Sequence, residues 1–448
     1  MKSSFCKLCI IIVIIFSTVI SASVKNIKYN FNPCSISRKN LLKSSLLSWK
    51  EEKVLFSEQS YNHETSKNDT ITILAFMVEF IQHDDSLTTG DGTFMLTVED
   101  PVVDPPPHNQ TYFKNQLTAL SSYYKSVSAG KLVLTGTVFP EILKLNNTMG
   151  YYNSEESENG IDKGLVELFR DAIQAADVAG ALFSHYDSYI IFHAGVGNDF
   201  AFDYDPTPHD ISSAFLDLDK LRRYLAQGDP NFQGIEVENS SFPVQEGIIL
   251  PETQNQEDGQ YFYEIGLLGT MSIMYGFQLG LPALWNTETG RSGIGMWGLM
   301  DQGSGNYMGL IPAEPCAFSK VLLGWETPII ITQQNNVKIA CSRSVESHKI
   351  YKVPINDHEY FLIENRQYDT NGDSVTTGRT SSGAQVIFRG DGTINMEKNG
   401  VITSVEEYDY GLPGSGILIW HIDEKVIRST IEDNRINADK NQRGVQNL

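Results

Sequence analysis

Basic residues are scarce in this 448-residue chain: Lys and Arg total 34 against 55 Asp and Glu, a formal net charge of −21 at pH 7. A balance so acidic excludes the two partner classes that demand a positive face, nucleic acid and anionic membrane. It fits a soluble protein, including one that binds calcium. Beyond the N-terminus no apolar run reaches the roughly 20 residues that a bilayer span requires. No internal repeat or low-complexity tract is present. Neither a G-x-S-x-G elbow nor a visible Ser-His-Asp set marks a serine hydrolase, although a triad can be scattered. What remains is globular in composition, with 41% hydrophobic residues, 20 Tyr and 22 Phe. The length suffices for two or three domains with sizeable cores.

Residues 1–23 read as a secretory signal peptide. Lys2 and Lys7 supply the positive region, Leu8 to Ile20 the apolar core, and Ser21-Ala22-Ser23 the small residues for cleavage. The alternative is a retained membrane anchor. Cleavage implies a secreted, extracellular protein with no transmembrane segment, and it removes Cys6 and Cys9. Cys34, Cys316 and Cys341 then remain, enough for one disulfide and one odd thiol. Cys316 and Cys341 flank one junction and form the expected pair. Residues 24–69 are polar, with a candidate helix over 38–56, and read as an N-terminal extension or propeptide-like segment.

Tyr261 to Leu279 is almost wholly apolar, with Glu264 its only charge. Apolar residues on every face predict a helix buried all round. Gly280-Leu281-Pro282 stops it, since Gly suits the cap and Pro cannot continue. Gly293, Gly295 and Gly298 then punctuate a turn that closes on Leu299-Met300-Asp301.

This stretch resembles the immune inhibitor A family of secreted, metzincin-like zinc metallopeptidases. Their active-site helix reads HExxHxLGLPDLYD and is followed by G-x-G-x-W-x-LMD. In such a site two His one helical turn apart bind zinc and the Glu between them activates water, while a third ligand follows and a methionine turn floors the metal. Aligning LGLP with LGLP places the zinc ligands at Ile273, Phe277 and Ala283, the general base at Met274 and the turn methionine at Met300. The four chemical positions are apolar. The resemblance therefore implies a metallopeptidase scaffold without its catalytic zinc chemistry.

Four further motifs follow the family's order. Tyr123-Tyr124 precede Ser128, Gly130-Lys131-Leu132, Gly136 and Val138, and Tyr151-Tyr152 come next. Pro312 and Pro315 lead to Leu323-Gly324-Trp325 and Pro328. Tyr360 to Gln367 and Leu412 to Glu424 resemble strands that follow the peptidase domain. The resemblance implies an α+β fold: a zincin-like peptidase domain over 70–330, with a mixed sheet and a buried active-site-type helix, then a β-rich module over 331–448 that ends before the family pattern does.

Local pattern adds elements to this frame. Thr70 to Phe80 is β-branched and aromatic, the signature of a strand. Residues 111–126 and 160–179 carry helical apolar spacing. Tyr189 to Gly197 reads as a buried strand, beside the substrate groove if the fold is zincin-like. His193 within it has no ligand-spaced partner and reads as a structural histidine. Asp199, Asp203, Asp205, His209 and Asp210 form an acidic, turn-rich stretch that could hold calcium. Asp369, Asn371 and Asp373 place oxygens at alternate positions, as a calcium loop begins, but a plain Asx turn fits better. Asp84, Asp85 and Asp91 read as a solvated face, and His421 with Asp423 as cross-strand hydrogen-bonding groups.

Three functions remain open. The first is a secreted pseudopeptidase that serves as a binding or structural module, with a protein or peptide as ligand. The second is an active zinc endopeptidase with a non-standard metal set drawn from His193, His209 or Glu264. The third is an enzyme of another class in the same groove.

Overall fold

A computed structural model of the chain describes residues 69–96, 101–153, 160–200, 205–257, 261–333, 336–345, 348–396 and 400–448. The signal peptide, residues 24–68 of the extension, Cys34 and Asp203 lie outside the described residues. The fold is α+β, built on mixed sheets.

Five strands form the first sheet: β1 (Asp69–Glu79), β2 (Leu132–Lys144), β3 (Ser188–Val196), β4 (Ala214–Leu216) and β5 (Gly247–Thr253). Their order is β2-β1-β3-β5-β4. All neighbours are parallel except β4, which runs antiparallel along β5 at the edge. The central strands are buried along both faces: all nine residues of β3 and all seven of β5 lie inside. Continuous apolar runs are what parallel strands covered on two sides require.

The cover comes from helices α1 (Gln110–Val127) and α2 (Gly160–Val178). Asn109 caps α1, its Oδ1 accepting the amides of Thr111 and Tyr112. Gly136 of β2 sits where a Cβ would fall 2.6 Å from Leu117 of α1, so only glycine permits this approach. Gly247 of β5 is likewise pressed by the Phe169 ring of α2. By strand register, Gly136 is in line with Ile73 and Ser188, whereas Gly247 is in line with Tyr189 and Leu74. Neighbouring residues of a strand face opposite ways, so α1 and α2 cover opposite faces. A third helix, α3 (Leu267–Gln278), lies on the α1 side: Gln278 accepts from Ser188 Oγ at 2.7 Å, and Tyr124 of α1 donates to Ser272 O at 2.7 Å.

After the short helix α4 (Ala317–Leu322) the chain is mostly strand. Residues 329–330, β6 (Ile350–Pro354), β7 (Glu359–Arg366), β11 (Gly416–Asp423) and β12 (Val445–Asn447) form one sheet in that spatial order. The strands β8 (Val375–Thr380), β9 (Gln385–Arg389) and β10 (Ile402–Val405), with residues 394–395, form another. Burial alternates strictly along β7, the period-2 pattern of a sheet with one covered face. Helix α5 (Glu424–Thr430) is capped by Asp423, whose Oδ1 accepts the amides of Lys425 and Val426. Asp423 therefore serves as a cap, while His421 makes the cross-strand contact, its Nε2 lying 3.0 Å from Glu359 Oε2.

A buried ionic cluster joins this segment to the preceding one. Arg366, at the end of β7, grips Asp409 with two guanidinium nitrogens, Nε reaching Oδ2 at 2.5 Å and Nη2 reaching Oδ1. Its Nη1 donates to Trp297 O at 3.3 Å, and Nη2 to Glu314 O at 3.4 Å. Glu364 accepts from Ala317 N and from Trp420 Nε1. Lys320 pairs with Glu314 at 2.6 Å. Every charged member is buried, and breaking such a set strands a charge without solvent.

The expected Cys316–Cys341 disulfide is not formed; both are free thiols. Cys316 is buried at the start of α4, its Sγ 3.6 Å from Ser319 Oγ. Cys341 bridges to Asn365 on β7, whereas the preceding Glu364 turns toward α4. Alternation along the strand thus brings the two thiols to β7 from opposite faces.

Arg366→Met should remove the cation that Asp409 and Glu364 face, costing about 3–5 kcal/mol of stability. Urea unfolding midpoints with an unchanged slope would register that loss.

Candidate functional site

Helix α3 carries Ile273, Met274 and Phe277, three of the four positions that the expected resemblance would assign to metal and base. The helix begins at Leu267 rather than Tyr261, since Phe262–Tyr263 form a short strand and Tyr261 and Phe262 are exposed; Leu267 through Phe277 are all buried. Its N-terminus is held from outside the helix. Gly266 provides no side-chain cap, and Asp104 Oδ2 accepts the amide of Leu267 at 2.8 Å instead. Its C-terminus closes in a Schellman motif. The Gly280 amide bonds Phe277 O at 2.8 Å and the Leu281 amide bonds Gly276 O at 3.0 Å, with Gly280 at φ +88°. That geometry makes the Gly-Leu-Pro stop, and it fixes Ala283 just past the helix.

Ile273, Met274, Phe277 and Ala283 are each 0% exposed. They form part of the core, with Phe277 edge-on to Trp285 at a centroid distance of 5.9 Å. Each large side chain so buried contributes about 1.5–3 kcal/mol relative to exposure. Ala283 offers its backbone rather than a side chain, its amide donating to Asn434 Oδ1 at 2.9 Å. Carbon side chains and one thioether do not fit zinc, which takes imidazole, thiolate and carboxylate donors.

Met300 is fully buried below the helix. A Cβ at Gly276 would lie 2.7 Å from its sulfur, so the thioether rests on the helix backbone beside Phe277. The turn that carries Met300 is tied by the next residue. Asp301 Oδ2 accepts the amides of Gly293 (2.8 Å), Ile294 (2.7 Å) and Gly295 (2.9 Å) and the Ser292 hydroxyl (2.8 Å). The glycines bring consecutive N–H groups onto one oxygen, an anion nest. Burial nonetheless raises the Asp301 pKa to about 6, against the lowering effect of those donors.

The groups considered for a non-standard metal set come from β3, from the segment before α3 and from a loop. His193 is buried in β3 with Nδ1 2.9 Å from Ala194 O, and burial lowers its pKa to about 4, so it is neutral at pH 7. Glu264 receives the amides of Val102 and Val103. His209 lies in a loop, its amide bonded to Leu87 O. Among the described residues no group of three His, Cys, Asp or Glu is arranged to hold a metal ion.

The oxygens proposed for calcium are engaged in turns. Asp369 accepts the amides of Gly372 and Ser374, and Asp373 that of Val375, while Asn371 lies in the same exposed turn. In the other stretch Asp199 binds Ser213 and Gln254, whereas Asp210 binds Thr89 through its amide and hydroxyl, each at 2.6 Å. Asp205 accepts the Thr207 amide. Asp199 and Asp210 thus serve separate partners.

Sequence reasoning missed a buried polar cluster next to α3. His108 Nδ1 lies 2.6 Å from Glu252 Oε2, and Nε2 lies 3.0 Å from Asp104 O. Glu252 also accepts the amides of Gly195 and Met95. The available signal was a carboxylate inside an apolar strand, Glu252 in Gly-Ile-Ile-Leu-Pro-Glu-Thr. No helix among the described residues is long and apolar enough to cross a membrane. No protein-family model and no curated protein matches the chain.

Burial raises the Asp210 pKa from 3.8 to about 7. The folded state therefore holds that proton more tightly than the unfolded chain. The resulting stabilisation is complete below pH ~4 and is lost as pH rises toward ~7. Asp210→Asn, which can keep both contacts to Thr89, should flatten this part of the decline. Melting temperatures at pH 4.5, 6 and 8 would show the variant gaining on the parent protein as pH rises.

Proposed function

We propose that the chain is a secreted pseudopeptidase of the immune inhibitor A type, a metallopeptidase-like scaffold that acts as a binding or structural module rather than as a hydrolase. The observation that carries this reading is the set Ile273, Met274, Phe277 and Ala283, buried where the family has its three zinc ligands and its base. Zinc hydrolysis needs three protein ligands, an open position for water and a base to move the proton. None of these four side chains can ligate zinc in that role or carry a proton. The mixed sheet, the buried helix ending at Gly-Leu-Pro and the methionine turn beneath it support the zincin-like reading of the fold.

The competing reading is an active zinc endopeptidase with a displaced metal set. It draws little support from the geometry. His193 and Glu264 are committed to backbone contacts on different elements, and among the described residues no three His, Cys, Asp or Glu are grouped to hold a metal ion.

Casein hydrolysis decides between them. With zinc added the purified protein should cleave no faster than buffer, and a chelator should change nothing. Cleavage that appears with zinc and disappears with chelator would restore the peptidase.

A further inference from the structure

Just past the stop that ends α3, the chain forms a cleft that the pseudopeptidase reading does not use. The loop 286–292 makes one wall and the segment 435–443 the other of an open cleft of about 630 Å³. That volume lies in the range typical of small-molecule sites. The walls are joined beneath it: Asn286 Nδ2 donates to Ala438 O at 2.6 Å, and Thr287 Oγ1 to Asn434 O at 2.8 Å. The cleft is therefore built into the native packing.

Its charge runs against that of the chain. Arg291, Arg435, Lys440 and Arg443 line it, against only Glu288 and Asp439, in a protein of net charge −21. Glu288 is paired with Arg435 across the cleft. Asp439 accepts the Asn441 amide through one oxygen at 2.8 Å. Among the described residues no carboxylate pairs with Arg291, Lys440 or Arg443. The Arg443 guanidinium is held in place by Nη1, which donates to Gly293 O at 2.8 Å, while its buried Nε–H has no protein acceptor. Three cations thus converge on one space with a single unpaired carboxylate among them. The usual compensation for such a group is an oxyanion, which guanidinium and ammonium bind through charge-assisted hydrogen bonds.

We propose that this cleft binds a small organic anion bearing two or more oxyanion groups, carboxylate or phosphate. Thr289 and Asn441, also in the lining, add neutral donors to the same space. Nothing in this assignment depends on the state of the metal positions; a zinc-binding version of the chain would keep the same cleft.

Isothermal titration of the full chain with citrate and, separately, with pyrophosphate tests it, in low-salt buffer. Saturable one-to-one binding of either ligand is expected, weakening as chloride screens the cations. Citrate alone would assign polycarboxylates, pyrophosphate alone phosphoanions, and both the shared chemistry. The double variant Arg291→Gln, Lys440→Gln changes two solvent-facing side chains. It should melt with the parent protein yet bind about tenfold or more weakly, the loss expected from removing charge-assisted contacts. No saturable heat with either ligand, or equal affinity in the double variant, would overturn the proposal.

Discussion

One carboxylate oxygen organises the centre of the molecule. Asp301 Oδ2 gathers three consecutive amides and a hydroxyl, and so sets the path of the glycine turn. That path places Met300 against Gly276 and presents Met300 O to the amide of Leu284 at 2.9 Å. The same turn offers Trp297 O to Arg366 and Gly293 O to Arg443. A hydrogen bond to a charged group is worth about 1.5–3 kcal/mol, so this one side chain supports the helix above it and the later strands beside it. The Gly, Gly, Trp and Leu-Met-Asp spacing thereby has a physical meaning that stands without any metal: amides supplied at fixed intervals to a carboxylate placed to receive them.

The later part of the chain also completes the surroundings of α3. Asn434 accepts from Ala283 N, and Asn437 Nδ2 donates to Leu284 O at 2.8 Å while its Oδ1 accepts from Val445 N. The stretch that follows the helix stop therefore obtains its backbone partners from residues about 150 positions downstream. Such long-range pairing means that Ala283 and the stretch after α3 are held by packing and hydrogen bonds together.

Much of this was legible in the sequence where one local rule decided the outcome. The β1 strand, helices α1 and α2 and the buried strand β3 were expected within a residue or two of their observed ends, because periodicity and runs of β-branched residues have one reading there. The Gly280 stop and the alternation along β7 were legible for the same reason. Long-range pairing was not. Arg366 and Asp409 lie 43 residues apart, and nothing local to either announces the other. His108 and Glu252 are separated still further in sequence. The Cys316–Cys341 pairing failed because sequence position near a junction says nothing about which face of β7 each thiol approaches. At 369–373 the sequence favoured an Asx turn over the start of a calcium loop, and Asp369 and Asp373 do accept turn amides.

The central claim is the proposal that Ile273, Phe277 and Ala283 replace zinc ligands and Met274 replaces the base, and metal content tests it most directly. Zinc should be measured by plasma emission on protein incubated with a slight excess of zinc and freed of unbound metal by gel filtration. The account predicts zinc far below one equivalent per chain, unchanged when Phe277 is replaced by Leu. One tightly held zinc per chain, removed by chelator together with a fall in melting temperature, would contradict it.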